Sequence, residues 1–202
     1  MKIRNEATGE SFYRKLRKRF NTANHARELT FSCFKRFEFL NRDRTRRWFI
    51  EQLEEARKTF RFDLWAYVIM PEHVHLLVYP DKQFTDMGTV AGAIKEALAR
   101  KAIHFLHEHS PEWIERITVI EGNRKRRRFW QPGGGYDRNA VELTTVHKMI
   151  EYIHQNPVRR GLVARPADWH WSSARWYAGI RPVPIEMDPT IPAICEIGGK
   201  LE

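Results

Sequence analysis

The chain has 202 residues, 42% of them hydrophobic, and 35 Lys and Arg against 25 Asp and Glu give a formal charge of +10. This length and apolar content fit one domain with a full core and exclude wholesale disorder. No apolar run is long enough to span a bilayer, the basic N-terminus lacks the apolar segment of a secretory signal, and two cysteines, Cys33 and Cys195, are too few for a disulfide framework. A reduced, cytoplasmic protein without membrane contact is the expectation, and a charge this positive points to a polyanionic partner.

Residues 1–26 form a basic N-terminal segment, in which YRKLRKRF brings together Arg14, Lys15, Arg17, Lys18 and Arg19. RELTFSCFKRFEF, from Arg27 to Phe39, mixes aromatic and β-prone residues as a first strand does. Between Arg42 and Phe60, the apolar residues Phe49, Ile50, Leu53, Ala56 and Phe60 recur at helical spacing. FDLWAYVIM and HVHLLVY then read as two strands separated by Pro71-Glu72, a break short enough to force antiparallel pairing.

Thr85-Asp86 caps a second helix, with Val90, Ile94, Ala97, Leu98 and Phe105 on one side, which Ser110-Pro111 stops. RITVIEG, Arg116 to Gly122, is a further strand, and the three glycines Gly133 to Gly135 demand a loop. A last helix carries Val146, Met149, Ile150 and Ile153, and Pro157 is expected to end it near Asn156. Residues 181–202 form a proline-rich irregular tail after a domain spanning 27–180. Strand, helix, two strands, helix, strand and helix in that order predict an α+β fold. Its core is a ferredoxin-like antiparallel sheet with helices packed on one face.

Two features carry chemistry. Five consecutive basic residues, Arg124, Lys125, Arg126, Arg127 and Arg128, stand directly before Phe129 and Trp130, which suits nucleic acid whose phosphates meet cations and whose bases stack on Trp130. A charge run alone fits a membrane surface or a solvated face equally well, and seven tryptophans in so charged a chain tilt the balance toward nucleic acid.

The second feature is His73-Val74-His75. Alternation places both imidazoles on one face while Val74, Leu76 and Val78 point to the other. Tyr152 and Asn156 are spaced i, i+4 beside the apolar stripe of the last helix, so packing that helix on the histidine face would aim both at the pair. Two imidazoles and an amide oxygen make a partial shell for a divalent cation. Each histidine needs an acceptor to fix its tautomer, and Glu72 is discounted for that role because neighbouring strand residues face oppositely. Other readings of these residues remain open: a polar strand face, a tyrosine at the core boundary, and an asparagine that merely ends a helix. His154, on the other flank, reads as structural or phosphate-contacting, Trp169, Trp171 and Trp176 read mostly as core, and Ser172-Ser173 as a helix cap.

HVH after YVIMPE, followed far downstream by YIHQNPVRRGLV, resembles the Y1-type single-strand transposases of the IS200 group. FWQPGGGYDRN and DWHWSSARWY extend the likeness from about Thr30 to Tyr177, and the REP-associated tyrosine transposase branch is the nearest. That resemblance implies a ferredoxin-like fold, binding of hairpins of repetitive extragenic palindromes with adjacent single strand, and cleavage and rejoining of single-stranded DNA. By position it implies His73 and His75 as metal ligands, Tyr152 as the nucleophile that takes a 5′ phosphate, and Asn156, where insertion-sequence members commonly have Gln, at the third ligand position. The metal would be magnesium or manganese, the partners single-stranded DNA and DNA hairpins, the protein a monomer or homodimer, and its place the cytoplasm, with the nucleoid when on DNA. A hairpin-binding protein that no longer cuts is the alternative, against which the intact His73, His75 and Tyr152 argue. A nucleotide hydrolase of the HIT type would need a histidine where Leu77 stands.

Overall fold

A computed structural model describes residues 2–4, 11–13, 25–81, 86–121, 123–132, 136–140 and 142–192. Strands β1 (Lys2–Arg4) and β2 (Ser11–Tyr13) pair antiparallel near the N-terminus. They are followed by β3 (Ala26–Ser32), α1 (Asp43–Phe60), β4 (Phe62–Ile69), β5 (His73–Pro80) and α2 (Met87–His109). The rest comprises α3 (Glu112–Ile117), β6 (Thr118–Glu121), β7 (Arg124–Arg127), β8 (Tyr136–Ala140), α4 (Leu143–Arg159) and α5 (Ala174–Tyr177).

Four strands form the central sheet in the order β4-β5-β3-β8, every neighbouring pair antiparallel. With α1 between β3 and β4 and α2 between β5 and β8, this is the βαββαβ connectivity of a ferredoxin-like fold, as the element order predicts. Asp86 caps α2, its Oδ1 accepting from the Gly88 backbone N–H at 3.0 Å, while Thr85 lies outside the described residues.

Three details differ from the sequence expectation. The fourth sheet strand is Tyr136–Ala140, not Arg116–Gly122; the latter contributes the end of α3 and then β6, which pairs only with β7 in a separate two-stranded ribbon. The sequence YDRNA hides its strand character because an edge strand with a wet face needs little apolar alternation.

Helices cover both faces of the sheet rather than one. Leu29, Phe31, Val74, Leu76 and Val78 pack against α1 and α2 in the larger core cluster, and Ala66, Val68 and Leu77 pack on the other face against Val146, Met149, Ile150 and Ile153 of α4. Only the two helices inside the ferredoxin-like unit share a side. Burying each of those α4 side chains contributes about 1.5–3 kcal/mol, which fixes the helix on the histidine face.

Finally, α4 continues through Pro157 to Arg159. Proline has no N–H to offer the Ile153 carbonyl, and the Asn156 side chain repairs the loss: its Nδ2 donates to Tyr152 O at 2.8 Å and to Ile153 O at 3.4 Å. The helix stops at Gly161, whose φ of 65° continues into paired bonds from Gly161 N to Val158 O and from Leu162 N to Pro157 O, both 2.9 Å.

The tail is irregular but packed over residues 181–192. Ile185 and Met187 are buried, Asp188 Oδ2 accepts from the Leu64 backbone N–H at 2.8 Å, and Trp65 Nε1 donates to Thr190 Oγ1 at 2.9 Å. Cys33 is a free, buried thiol, pushed far above its ordinary range by burial, and Cys195 lies outside the described residues. No helix of the described residues is long and apolar enough to cross a membrane.

Candidate active site

β5 is an interior strand, so His73 and His75 project from the middle of the sheet onto the face that α4 covers. Each is 7% exposed and their ring centroids are 5.0 Å apart. Tyr152, on the exposed flank of α4, brings its ring to 5.6 Å from that of His75 while remaining 42% exposed. Strand, neighbouring strand and helix thus meet at one opening, a cleft of about 630 Å³ whose lining includes Glu28, Thr30, His75, Arg138, Lys148 and Tyr152.

The imidazoles are held by their neighbours. Thr30 pairs in register with His75 across β3 and β5, and the His75 Nδ1 lies 2.9 Å from Thr30 Oγ1 and 3.2 Å from Glu28 Oε1. A carboxylate offers only lone pairs, so these contacts favour a proton on Nδ1 and leave Nε2 as the nitrogen turned to a ligand. Glu28 and Thr30 escaped the sequence reading, yet E-x-T on a strand is the same period-two signal as H-x-H, and antiparallel pairing puts the two sets side by side.

Glu72 faces His73, against the expectation that it points away, yet accepts no hydrogen bond from it. Its Oε1 stands 3.1 Å from His73 Nδ1, close enough for attraction although too poorly aligned for a hydrogen bond. Alternation does not apply to Glu72, because the strand begins only at His73 and Glu72 belongs to the preceding bend. The same oxygen receives Arg160 Nη1 at 3.0 Å, just past the end of α4, and Arg36 Nη1 at 3.9 Å. Burial, reinforced by the neighbouring His75 and opposed by Glu72, pushes His73 down to about 4, so it is neutral at physiological pH, as a metal ligand must be.

These features fit a divalent cation. His73 Nδ1 and Glu72 Oε2 are buried polar atoms without a hydrogen-bond partner, and the contacts of His75 are made by Nδ1. No group of three or more His, Cys, Asp and Glu among the described residues is gathered closely enough to hold a metal ion alone. Any such site is therefore an open one, completed by an amide or by ligand oxygens. Asn156 is buried on the same helix as Tyr152, and its Oδ1 takes no part in the two bonds that Nδ2 makes to the helix backbone.

Other candidate residues fall elsewhere. His154 is structural: its Nε2 lies 2.8 Å from Ser173 Oγ, and burial lowers it to about 4. Of the expected cap Ser172-Ser173, Ser172 serves, its Oγ accepting from the Ala174 backbone N–H at 3.1 Å, whereas Ser173 Oγ accepts from the Tyr67 backbone N–H at 2.9 Å. Arg124 to Arg127 are exposed along β7, whereas Arg128 is half-buried. Trp130, expected to stack on bases, is a core residue instead, 6% exposed, edge-on to Phe31 at 5.4 Å and donating from Nε1 to Lys95 O at 2.9 Å. Its ring is spent on the core because the chain there pairs with the end of β3, Cys33 opposite Trp130. Arg14, Lys15, Arg17, Lys18, Arg19 and Gly133 to Gly135 lie outside the described residues.

Comparisons with known proteins bear on the family and the fold. Residues 21–156 match the family described as "Transposase IS200 like". A protein of Haemophilus influenzae assigned as a REP-associated tyrosine transposase is 23% identical over 158 residues, 75% of this chain and 85% of the relative. The solved structure of a REP-associated tyrosine transposase bound to a REP hairpin superimposes with a TM-score of 0.62 at 19% identity, covering 87% of this chain and 93% of that one. A protein from Deinococcus radiodurans assigned as a transposase gives a TM-score of 0.43 at 22% identity, over 69% of this chain and 97% of that one.

Proposed function

The chain belongs to the IS200-like transposase family, and from that premise we propose that it cuts and rejoins single-stranded DNA beside hairpins of REP type, through a covalent bond to Tyr152. The observation that carries this reading is the meeting at one cleft of an exposed Tyr152 ring with His75, 5.6 Å away, whose own ring neighbour on the strand is His73. A binder would need no such convergence. The relative solved with a REP hairpin supports hairpin DNA as the substrate class.

In this account Tyr152 Oη attacks the phosphorus in line, the new P–Oη bond forms as the P–O3′ bond breaks, and the 5′ phosphate stays on the enzyme. The phenolic proton passes to the solvent that wets the exposed ring, and the departing 3′ oxygen takes one up. Attack by a 3′ hydroxyl on the phosphotyrosine reverses these events and rejoins the strand. His73 and His75 would hold a divalent cation, magnesium or manganese, with Asn156 Oδ1 as third donor. Such a cation polarises the phosphate and offsets the charge that develops on it. Glu28 and Thr30 hold the His75 ring, Arg138 and Lys148 on the cleft lining are placed for phosphate oxygens, and the Arg159 guanidinium, 4.8 Å from the Tyr152 ring, steadies the nucleophile. Exposed Arg124, Lys125, Arg126 and Arg127 are the readiest phosphate contacts outside the cleft.

The test is an incubation of labelled hairpin DNA bearing a single-stranded flank with the protein and manganese or magnesium, resolved on a denaturing protein gel. A labelled adduct that needs the metal and is lost in Tyr152→Phe is expected. Tight hairpin binding without an adduct under any metal would replace the enzyme by the non-cutting binder.

A further inference from the structure

Lys148, Tyr152 and Asn156 follow one another at four-residue intervals on α4, and Arg160 stands four further on, just past its end, so the four lie along one ridge of the helix. That ridge runs beside the histidine strand. At its far end Arg160 Nη1 meets Glu72, which faces His73, and in the middle the Tyr152 ring meets that of His75. Lys148 therefore lies one turn from Tyr152 on the side away from His73 and Asn156, where the cleft lining also includes Arg138 and Thr145. The groups suited to a cation stand on one side of the nucleophile, and an ammonium stands on the other. Lys148 is exposed, and among the described residues no carboxylate pairs with it.

Cutting leaves a 3′ oxygen that departs with negative charge, and a proton delivered as the P–O3′ bond breaks accelerates such a step by about 10²–10⁴-fold. The other described groups on the cleft lining are unsuited to deliver it. The Glu28 carboxylate only accepts, and it faces His75 Nδ1 at 3.2 Å. The hydroxyls of Thr30 and Thr145 are no more acidic than the 3′ hydroxyl being formed. His75 turns Nδ1 to Glu28 and Thr30 and, in the cleavage reading, its other nitrogen to a cation. The Arg138 guanidinium does not give up a proton in proteins. An ammonium does, and it carries three.

The spacing suits the transfer. In an in-line displacement the leaving oxygen stands on the far side of the phosphorus from the attacking oxygen. Residues four apart on a helix have Cβ atoms about 5–6 Å from each other. Lys and Tyr side chains have similar reach, so a phosphorus with its leaving oxygen fits between the phenol and the ammonium.

We propose that Lys148 is the general acid of the cut, a role that rests on the cleavage reading. As Tyr152 Oη forms its bond to phosphorus and the P–O3′ bond breaks, one proton passes from the Lys148 ammonium to O3′, leaving a 3′ hydroxyl and a neutral amine. On rejoining, the amine takes that proton back from the attacking 3′ hydroxyl, the P–O3′ bond re-forms and the tyrosine oxygen leaves.

Two substrates separate an acid from a mere phosphate contact. One is hairpin DNA with an ordinary single-stranded flank; the other carries sulfur in place of the bridging 3′ oxygen at the bond the wild type cuts, and its thiolate leaves without needing a proton. Adduct formation is timed in a single turnover with manganese and saturating protein, so that the chemical step is read. Lys148→Met should form adduct at least a hundredfold more slowly than wild type on the oxygen substrate and within threefold of it on the sulfur one. Lys148→Arg keeps the charge without a transferable proton, so it should bind DNA as wild type does and still cut the oxygen substrate slowly. Both variants should keep the wild-type thermal midpoint, since the side chain is exposed. Equal slowing on the two substrates, or a wild-type rate in Lys148→Arg, would overturn the proposal and leave Lys148 a phosphate contact. If the wild type forms no adduct with either substrate, the cleavage reading falls and the acid falls with it.

Discussion

The two faces of the sheet handle charge in opposite ways. Around the histidine pair the polar groups are buried and most are tied: Glu28 to His75, Glu72 to Arg160, Asn156 to its own helix. Along β7 the cations are exposed, and the Arg100–Glu96 pair of α2 has both side chains more than 70% exposed. Reacting groups must be held within a fraction of an ångström, so their supports are immobilised at some cost in desolvation. Holding a phosphate backbone asks only for charge of the right sign along a surface, and loose side chains suffice.

If that contrast is right, substitutions on the buried face cost chemistry or folding, and those on the ribbon cost salt-dependent binding. The largest effect expected is His75→Ala, which should slow adduct formation on the order of a thousandfold through loss of a cation worth several kcal/mol to the transition state. A time course with unchanged rate would break the contrast at its centre. Glu72→Gln keeps the shape but removes the charge that faces His73 and Arg160, and manganese titration followed by electron paramagnetic resonance should show about a ten- to hundredfold weaker site.

A third prediction concerns folding alone. His154 is lowered from 6.5 to about 4 by burial, so between those values the unfolded chain binds a proton that the native one does not. Stability should therefore be level above pH 6.5 and decline as pH falls toward 4, by something on the order of 2 kcal/mol. Denaturant titrations across that range should find the decline reduced in His154→Gln, with His73, also lowered to about 4, carrying the remainder. Smallest is Gly161→Ala, which places a Cβ at a φ of 65° and should cost about 1 kcal/mol in the same assay.

Much of this site was legible beforehand, because period-two alternation in HVH and period-3.6 spacing in α4 are local patterns that burial enforces. What escaped depends on chain context. Glu72 looked misdirected under a rule that holds only inside a strand, and it sits in the bend before one. Trp130 looked like a stacking ring beside five cations, but its pairing with Cys33 turns it into the core. YDRNA lacks the apolar pattern of a strand because it closes the sheet edge, and RITVIE has that pattern although it forms a ribbon apart from the sheet. Pro157 reads as a helix end unless a neighbouring side chain replaces the missing donor, as Asn156 does here.

The central claim is that Tyr152 holds the DNA. Digesting the metal-dependent adduct with trypsin and nuclease and sequencing the modified peptide by mass spectrometry tests it directly. The account predicts a nucleotide joined through its 5′ phosphate to Tyr152. A nucleotide on any other residue, or cleaved DNA with no modified peptide, would contradict it.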